Sequence, residues 1–116
     1  RKHSMKDYSP AVRQAVLLID SQLAGELSLR HIAAALKLNP SYLSSLFKKE
    51  TGSTITEFIC KRRIEQGANL LRNTSMQIQD IATYCGVPDA NYFSKIFKKH
   101  KGVSPAEYRN IPQAQL

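Results

Sequence analysis

Cysteine is scarce in this chain of 116 residues, which argues against a disulfide-stabilised fold. Small secreted domains that depend on disulfides carry several cysteines at close spacing. Here there are two, Cys60 and Cys85, and they form no C-x-x-C pair. We therefore expect two free thiols in a reducing compartment, and no metal site.

Long apolar runs are also missing. No run approaches the roughly 18 residues that a membrane-spanning helix needs, so we expect no membrane partner. The first residues, Arg1 to Ser4, lack the apolar stretch of a secretory signal peptide. Because the chain has no initiator Met, we expect it to be part of a longer protein.

The sequence lacks the short motifs of common enzymes. It contains no G-x-S-x-G, no H-E-x-x-H and no G-x-x-x-x-G-K-[ST]. His3, His31 and His100 are scattered and have no neighbouring cluster of carboxylates or cysteines. We therefore predict no catalytic residues and no cofactor, and we favour a binding protein over an enzyme.

Acidic residues are few, since 9 Asp and Glu stand against 17 Lys and Arg, for a formal charge of +8. The 42% hydrophobic content is typical of a folded globule and not of a disordered basic tail. This balance favours a polyanionic partner, with nucleic acid first and an anionic membrane surface second.

The chain repeats itself at an offset of 50 residues. Tyr42–Lys49 aligns with Tyr92–Lys99, and both segments end in Phe-Lys-Lys. Upstream, Leu29–Ala33 aligns with Ile78–Ala82 at an offset of 49, so the second copy has one extra residue in the intervening turn. Two copies predict a pair of pseudo-symmetric subdomains, because a solenoid needs at least three repeats.

Capping residues and apolar spacing predict helices throughout, and no segment alternates as a strand would. Helix starts are indicated by five capping signals: Ser9-Pro10, Ser28, Asn39-Pro40, Thr54-x-x-Glu57 and Ser104-Pro105-Ala106-Glu107. The first helix should end before Gly25. The prediction is an all-α fold with helix-turn-helix subdomains over 9–53 and 74–110, a linker helix over 54–73, an N-terminal linker over 1–8 and a tail over 111–116.

The second helix of each repeat has an apolar face and a small, polar face. We interpret the polar face as a DNA base-reading surface, because serine can bond to any base, asparagine pairs with adenine and lysine donates to guanine. Its predicted members are Ser41, Ser44 and Ser45 in the first copy, and Asn91, Ser94 and Lys95 in the second. Tyr42 and Tyr92 are interpreted as packing or orienting residues.

Two lysine pairs, Lys48-Lys49 and Lys98-Lys99, follow about one helical turn later. A lysine pair is more often a solvated face, but the recurrence of both pairs at one position predicts phosphate contacts. In the turn of the second copy, Gly86 suits a left-handed backbone.

The linker helix would be about 30 Å long, close to the ~34 Å between major-groove faces on one side of B-DNA. That length suits two reading helices on one duplex. Arg62 and Arg63, near its middle, are either structural or in contact with the DNA backbone.

Residues 9 to 110 resemble the AraC/XylS family of bacterial transcription regulators. Gly86–Arg109 is similar to the family's signature, Phe58–Leu71 to its linker helix and Leu29–Gly52 to its first helix-turn-helix. The resemblance implies a cytoplasmic, sequence-specific binder of double-stranded DNA that contacts two successive major grooves. It also implies that the groove-facing positions are Ser41, Ser44, Ser45, Ala90, Asn91, Ser94 and Lys95.

Two residues depart from the family pattern. Gly67 stands where alanine is usual, which should cost the long helix about 1 kcal/mol, and Val87 stands where phenylalanine is usual. Family members mostly carry an effector or dimerisation domain as well, which we expect in the remainder of the protein. Docking of one subdomain on RNA polymerase is the alternative to DNA contact by both.

Overall fold

The structure, a computed structural model, describes residues 5–112. Residues 1–4 and 113–116, which belong to the predicted N-terminal linker and C-terminal tail, lie outside this range. The described residues form helices and no strands, which confirms the all-α prediction. After a 3₁₀ turn at Met5–Asp7, the helices are α1 (Pro10–Ser21), α2 (Leu29–Leu36), α3 (Pro40–Thr51), α4 (Ile55–Asn73), α5 (Ile78–Tyr84), α6 (Ala90–Lys101) and α7 (Pro105–Asn110).

The chain divides into two compact units within α4. Unit 1 ends at Cys60 and unit 2 begins at Lys61. Each unit contains a helix-turn-helix, formed by α2 and α3 in unit 1 and by α5 and α6 in unit 2. The repeat seen in the sequence therefore corresponds to two separately packed units.

The core of unit 1 is built from α1, α2, α3 and the beginning of α4. Its buried members are Val12, Ala15, Val16, Ile19, Ile32, Ala33, Leu43, Phe47, Ile55 and Ile59. The α1 members recur three and four residues apart, which places them on one face of that helix. Phe47 of α3 contacts Phe58 of α4 edge to face, with ring centroids 5.1 Å apart, so α3 is anchored to α4 as well as to α2.

The core of unit 2 repeats this arrangement with α7 in an added role. Its buried members are Ile64, Ala68, Leu71, Ile81, Ala82, Cys85, Val87, Phe93, Phe97 and Tyr108. Phe97 of α6 packs edge to face on Tyr108 of α7, at 5.3 Å between ring centroids. Arg109 donates hydrogen bonds to the carbonyls of Leu71 and Thr74, which satisfies acceptors left open at the end of α4.

Most of the predicted helix caps are confirmed. The Ser28 hydroxyl accepts from the His31 N–H and the Asn39 side chain accepts from the Tyr42 N–H, each at 3.1 Å. Capping boxes begin α4 and α7, as predicted. α6 has a further cap, since Asp89 accepts from the N–H groups of Asn91 and Tyr92.

The start of α1 differs from the prediction in one detail. Ser9 occupies the N-cap position, but its side chain makes no capping bond, and its backbone N–H donates instead to the Glu50 carboxylate at 2.7 Å. The helix ends at Ser21, which is before Gly25 as predicted. There the Ser21 hydroxyl donates to the Leu18 carbonyl, and such side-chain bonds compete with continued helix.

Gly67 has a packing role in addition to its predicted cost to the long helix. Gly67 is buried, and a Cβ added there would lie 2.7 Å from Cζ and 3.1 Å from Cε1 of Phe93. Phe93 is itself fully buried. Because glycine has no Cβ, Gly67 leaves space for the Phe93 ring of α6.

Gly67→Ala should for this reason destabilise unit 2. The gain in helix propensity of about 1 kcal/mol is opposed by an overpacking cost of about 1–3 kcal/mol. We expect a net loss of about 1 kcal/mol in the free energy of unfolding, measured by urea titration. In a Phe93→Leu background, the same substitution should become stabilising, because the obstructing ring is gone. Stabilisation by Gly67→Ala in the wild type would show that the ring moves aside freely.

The two capping boxes make stability depend on pH in the acidic range. The backbone N–H of Thr54 donates to Glu57 at 2.9 Å, and that of Ser104 donates to Glu107 at 3.0 Å. These backbone bonds are the main reason that the pKa of each glutamate lies below its ordinary value of 4.5, and the cap hydroxyls add to the effect. A lowered pKa in the folded state stabilises the fold above pH 4.5, and this contribution is lost as pH falls through the lowered pKa.

The variant Glu57→Ala/Glu107→Ala should be less stable than the wild type at pH 7. The difference in unfolding free energy should shrink as pH falls below about 4.5, because the wild-type carboxylates then become protonated. Glu57→Gln/Glu107→Gln is the matched control, since glutamine retains the accepting oxygen without the charge. A difference that stayed constant between pH 7 and pH 3 would contradict this account.

Candidate nucleic-acid interface

In unit 1, α3 is held by one face and exposed on the other. Leu43 and Phe47, one turn apart, are fully buried and fix the rotation of the helix about its axis. The opposite face is an exposed stripe that runs the length of the helix, formed by Ser41, Tyr42, Ser45, Lys48 and Lys49. Positions four, seven and eight residues apart lie on one side of a helix, so this stripe is continuous.

In unit 2, α6 repeats the same pattern of burial from Asn91 to Lys99. Phe93 and Phe97 are fully buried, where Leu43 and Phe47 are buried in unit 1. The exposed stripe consists of Asn91, Tyr92, Lys95, Lys98 and Lys99. The two stripes have one geometry but different side chains, because only the tyrosine and the lysine pair are shared.

The structure exposes the predicted base-reading residues to different degrees. Four of them are exposed: Ser41, Ser45, Asn91 and Lys95. Three are half-buried at the edge of the stripe: Ser44, Ala90 and Ser94. The predicted reading surface of each helix is thus narrower than its small polar residues suggest, and its role in base contact stays a prediction.

Tyr42 and Tyr92 do not pack in the cores. Each residue is 55% exposed, so packing in the core is wrong, while the alternative of an orienting role stays a prediction. Both lie in the first turn of their helix, at the N-terminal end of the exposed stripe. Sequence reasoning missed this exposure because tyrosine is compatible with both a core and a surface.

The predicted phosphate contacts lie at the end of each stripe. Lys48 and Lys49 are exposed in the last turn of α3, as are Lys98 and Lys99 in α6. Lys101 differs from them, because its ammonium pairs with the Glu65 carboxylate of α4 at 2.9 Å. Lys98 and Lys99 are therefore exposed, whereas the ammonium of Lys101 is held by an ion pair within unit 2.

Cys85 is a buried thiol in the core of unit 2. Burial raises the pKa of the Cys85 thiol to about 11, and the positive charge of Arg63 opposes that rise. A thiol with this pKa stays protonated and unreactive at neutral pH. Arg62 and Arg63 are both half-buried, and each keeps both interpretations, as a structural residue or as a contact with the DNA backbone. Both cysteines are free, as expected.

The described part of the chain shows neither a metal site nor a membrane-spanning helix. Among residues 5–112, no three His, Cys, Asp or Glu side chains come together as metal ligands would. No helix in the same range combines the length and the apolar character needed to cross a bilayer.

Sequence reasoning missed one exposed cation beside a stripe. Lys37 lies in the turn between α2 and α3, with a left-handed backbone at φ 58°. Gly86, at the aligned position of unit 2, has φ 85°, as predicted. Aligning the two turns at the offset of 49 would have identified Lys37, since a left-handed residue in one copy predicts one in the other.

Comparisons with known proteins agree with this geometry. A family model described as a helix-turn-helix domain matches residues 32–111. The chain is 35% identical over 98 residues to the HTH-type transcriptional regulator YijO of Escherichia coli, covering 84% of this chain and 35% of that protein. It is 33% identical over 102 residues to the xylose operon regulatory protein of Escherichia coli, covering 88% and 26%. The chain thus spans about a third or less of these relatives.

Solved structures share the fold. The C-terminal domain of AraT, a response regulator from Geobacillus stearothermophilus, is 38% identical, with a TM-score of 0.86 and coverage of 90% of each chain. The DNA-binding domain of AdpA, solved with a target DNA, has a TM-score of 0.85 but only 22% identity, so it demonstrates similarity of fold alone.

Proposed function

Because the chain belongs to the AraC/XylS family of helix-turn-helix transcription regulators, we propose that it binds double-stranded DNA sequence-specifically in bacterial transcription regulation. α3 and α6 act as recognition helices in successive major grooves of one duplex. The chain acts by binding and not by catalysis, in the cytoplasm, where bacterial DNA is found.

The duplicated burial pattern of α3 and α6 supports this proposal most directly. Each helix buries two apolar side chains one turn apart and exposes a polar stripe on the other side. The major groove of B-DNA is wide enough to admit a helix, and base edges there can be distinguished by hydrogen bonds. A firmly anchored helix with a polar outer stripe meets both requirements.

The exposed side chains divide the work within each recognition helix. The first turns carry groups suited to base edges, namely serine hydroxyls in α3 and an amide and an ammonium in α6. The last turns carry the lysine pairs, which contact phosphates and add affinity without reading sequence. The formal charge of +8 adds a general attraction to the duplex.

Two further roles concern the whole regulator. An effector or dimerisation domain elsewhere in the protein would control when DNA is bound, because the matched region covers only 35% and 26% of these two relatives. RNA polymerase would be the second partner of a bound activator. The salt dependence of the affinity distinguishes DNA binding from docking on RNA polymerase. Binding to phosphates weakens steeply as salt rises, and apolar docking does not.

One chain should select an asymmetric DNA site. The two reading stripes differ, since α3 presents serines where α6 presents Asn91 and Lys95. In vitro selection from random duplexes should therefore yield two dissimilar half-motifs about one helical turn apart. Recovery of a palindrome with monomeric protein would contradict the single-chain arrangement.

Lys95→Ala and Lys98→Ala should have different effects on DNA affinity. Lys95→Ala should weaken binding to the selected site by about 1–3 kcal/mol and relax base preference at one or two positions. Lys98→Ala should weaken binding to all duplexes alike and reduce the slope of log affinity against log salt by about one. Titrations of selected and scrambled duplexes between 50 and 200 mM salt measure both effects.

Lys101→Ala is the matched control for loss of a charge on α6. Because Lys101 is paired with Glu65, its removal should change the salt slope less than the removal of Lys98 does. If Lys95→Ala lowered the affinity for both duplexes equally, its assignment to base reading would be wrong, even with DNA binding intact.

A further inference from the structure

The turn between α2 and α3 contains an unusual backbone conformation. Lys37 has φ 58° and ψ 43°, the left-handed region, and within residues 5–112 it is the one residue other than glycine with positive φ. Side chains with a Cβ are strained in this region, which glycine adopts freely. A lysine here therefore lowers stability relative to glycine.

The aligned turn of unit 2 shows that glycine satisfies the same geometry. The N–H of Leu38 bonds to the Ala33 carbonyl at 2.8 Å, and the N–H of Val87 bonds to the Ala82 carbonyl at 2.9 Å. Both turns thus close α2 and α5 with one hydrogen-bond pattern. Only the residue at its left-handed position differs, so the turn itself does not require lysine.

No contact within residues 5–112 explains the lysine. Its side chain is exposed, and no hydrogen bond or ion pair joins its ammonium to another residue that the structure describes. Because the strained backbone of Lys37 is not accompanied by a contact in the described part of the chain, we expect its side chain to contact a binding partner.

The position of Lys37 suits a contact with DNA. Lys37 lies two residues before Asn39, which caps the N-terminus of α3. In a helix-turn-helix, the N-terminal residues of the recognition helix contact base edges, so an exposed cation just before them lies beside the phosphates that border the groove. The reading residues of α3 are uncharged serines, whereas α6 has Lys95 within its own stripe.

We propose that Lys37 is a phosphate-contacting residue of unit 1, retained in a strained backbone position because it anchors the N-terminal end of α3 to the DNA backbone. This inference rests on the proposed DNA-binding function. The phosphate contact of Lys37 is independent of base sequence. It lies at the N-terminal end of α3, whereas Lys48 and Lys49 lie at the C-terminal end.

Lys37→Gly should separate stability from binding. Removing the strain should raise the midpoint of thermal unfolding by about 4–8 °C. Removing the ammonium should weaken binding to selected and scrambled duplexes equally, by about three- to tenfold at 100 mM salt, and reduce the salt slope by about one. Circular dichroism melts and fluorescence-anisotropy titrations measure the two effects on the same preparations.

Two control variants assign each effect to its cause. Lys37→Gln keeps the strained backbone and removes the charge, so it should bind DNA as weakly as Lys37→Gly without the gain in thermal stability. Arg13→Gln removes a charge from α1, outside the helix-turn-helix, and should change the salt slope by less than half as much.

The outcomes also separate this inference from the proposed function. If wild-type protein binds duplexes in a salt-sensitive manner and both Lys37 variants bind equally well, the role of Lys37 is wrong and the proposed function stands. If Lys37→Gln instead lowers thermal stability and leaves binding unchanged, the lysine serves the C-terminal end of α2, and the proposal is overturned. Absence of salt-sensitive binding by the wild type would overturn the proposed function itself.

Discussion

Each recognition helix depends on two buried side chains one turn apart. Leu43 and Phe47 in α3, and Phe93 and Phe97 in α6, are completely removed from solvent. Burial of such side chains contributes about 1.5–3 kcal/mol each, and it also fixes which side of the helix faces outward. The exposed stripes, the lysine pairs and the half-buried serines all take their positions from this rotation.

The same buried residues explain why the exposed stripes of α3 and α6 have one geometry but different side chains. The aligned buried positions of α3 and α6 carry apolar side chains in both units, because burying a polar group without a partner is costly. The exposed positions carry no such constraint, so serine in one unit aligns with asparagine or lysine in the other. A duplicated frame with different stripes suits a DNA site composed of two different halves.

Glycine has different structural roles at two positions in unit 2. At Gly86 it allows a left-handed turn, which its aligned counterpart Lys37 adopts under strain. At Gly67 it leaves space for the ring of Phe93, which a methyl group would enter. The first role is conformational and concerns the residue alone, while the second depends on packing between two helices.

Local chemistry explains what the sequence by itself determined: the all-α class, the repeat, the capping boxes at Thr54 and Ser104, and the left-handed turn at Gly86. These features rest on bonds or periodicity within about four residues, which are readable along the chain. Only the tertiary structure decided the rest. Ser9 donates its N–H to Glu50, which is 41 residues away, Phe93 fills the space above Gly67, and Tyr42 and Tyr92 face outward. These features depend on contacts between residues that are distant in the sequence, and local sequence patterns do not predict such contacts.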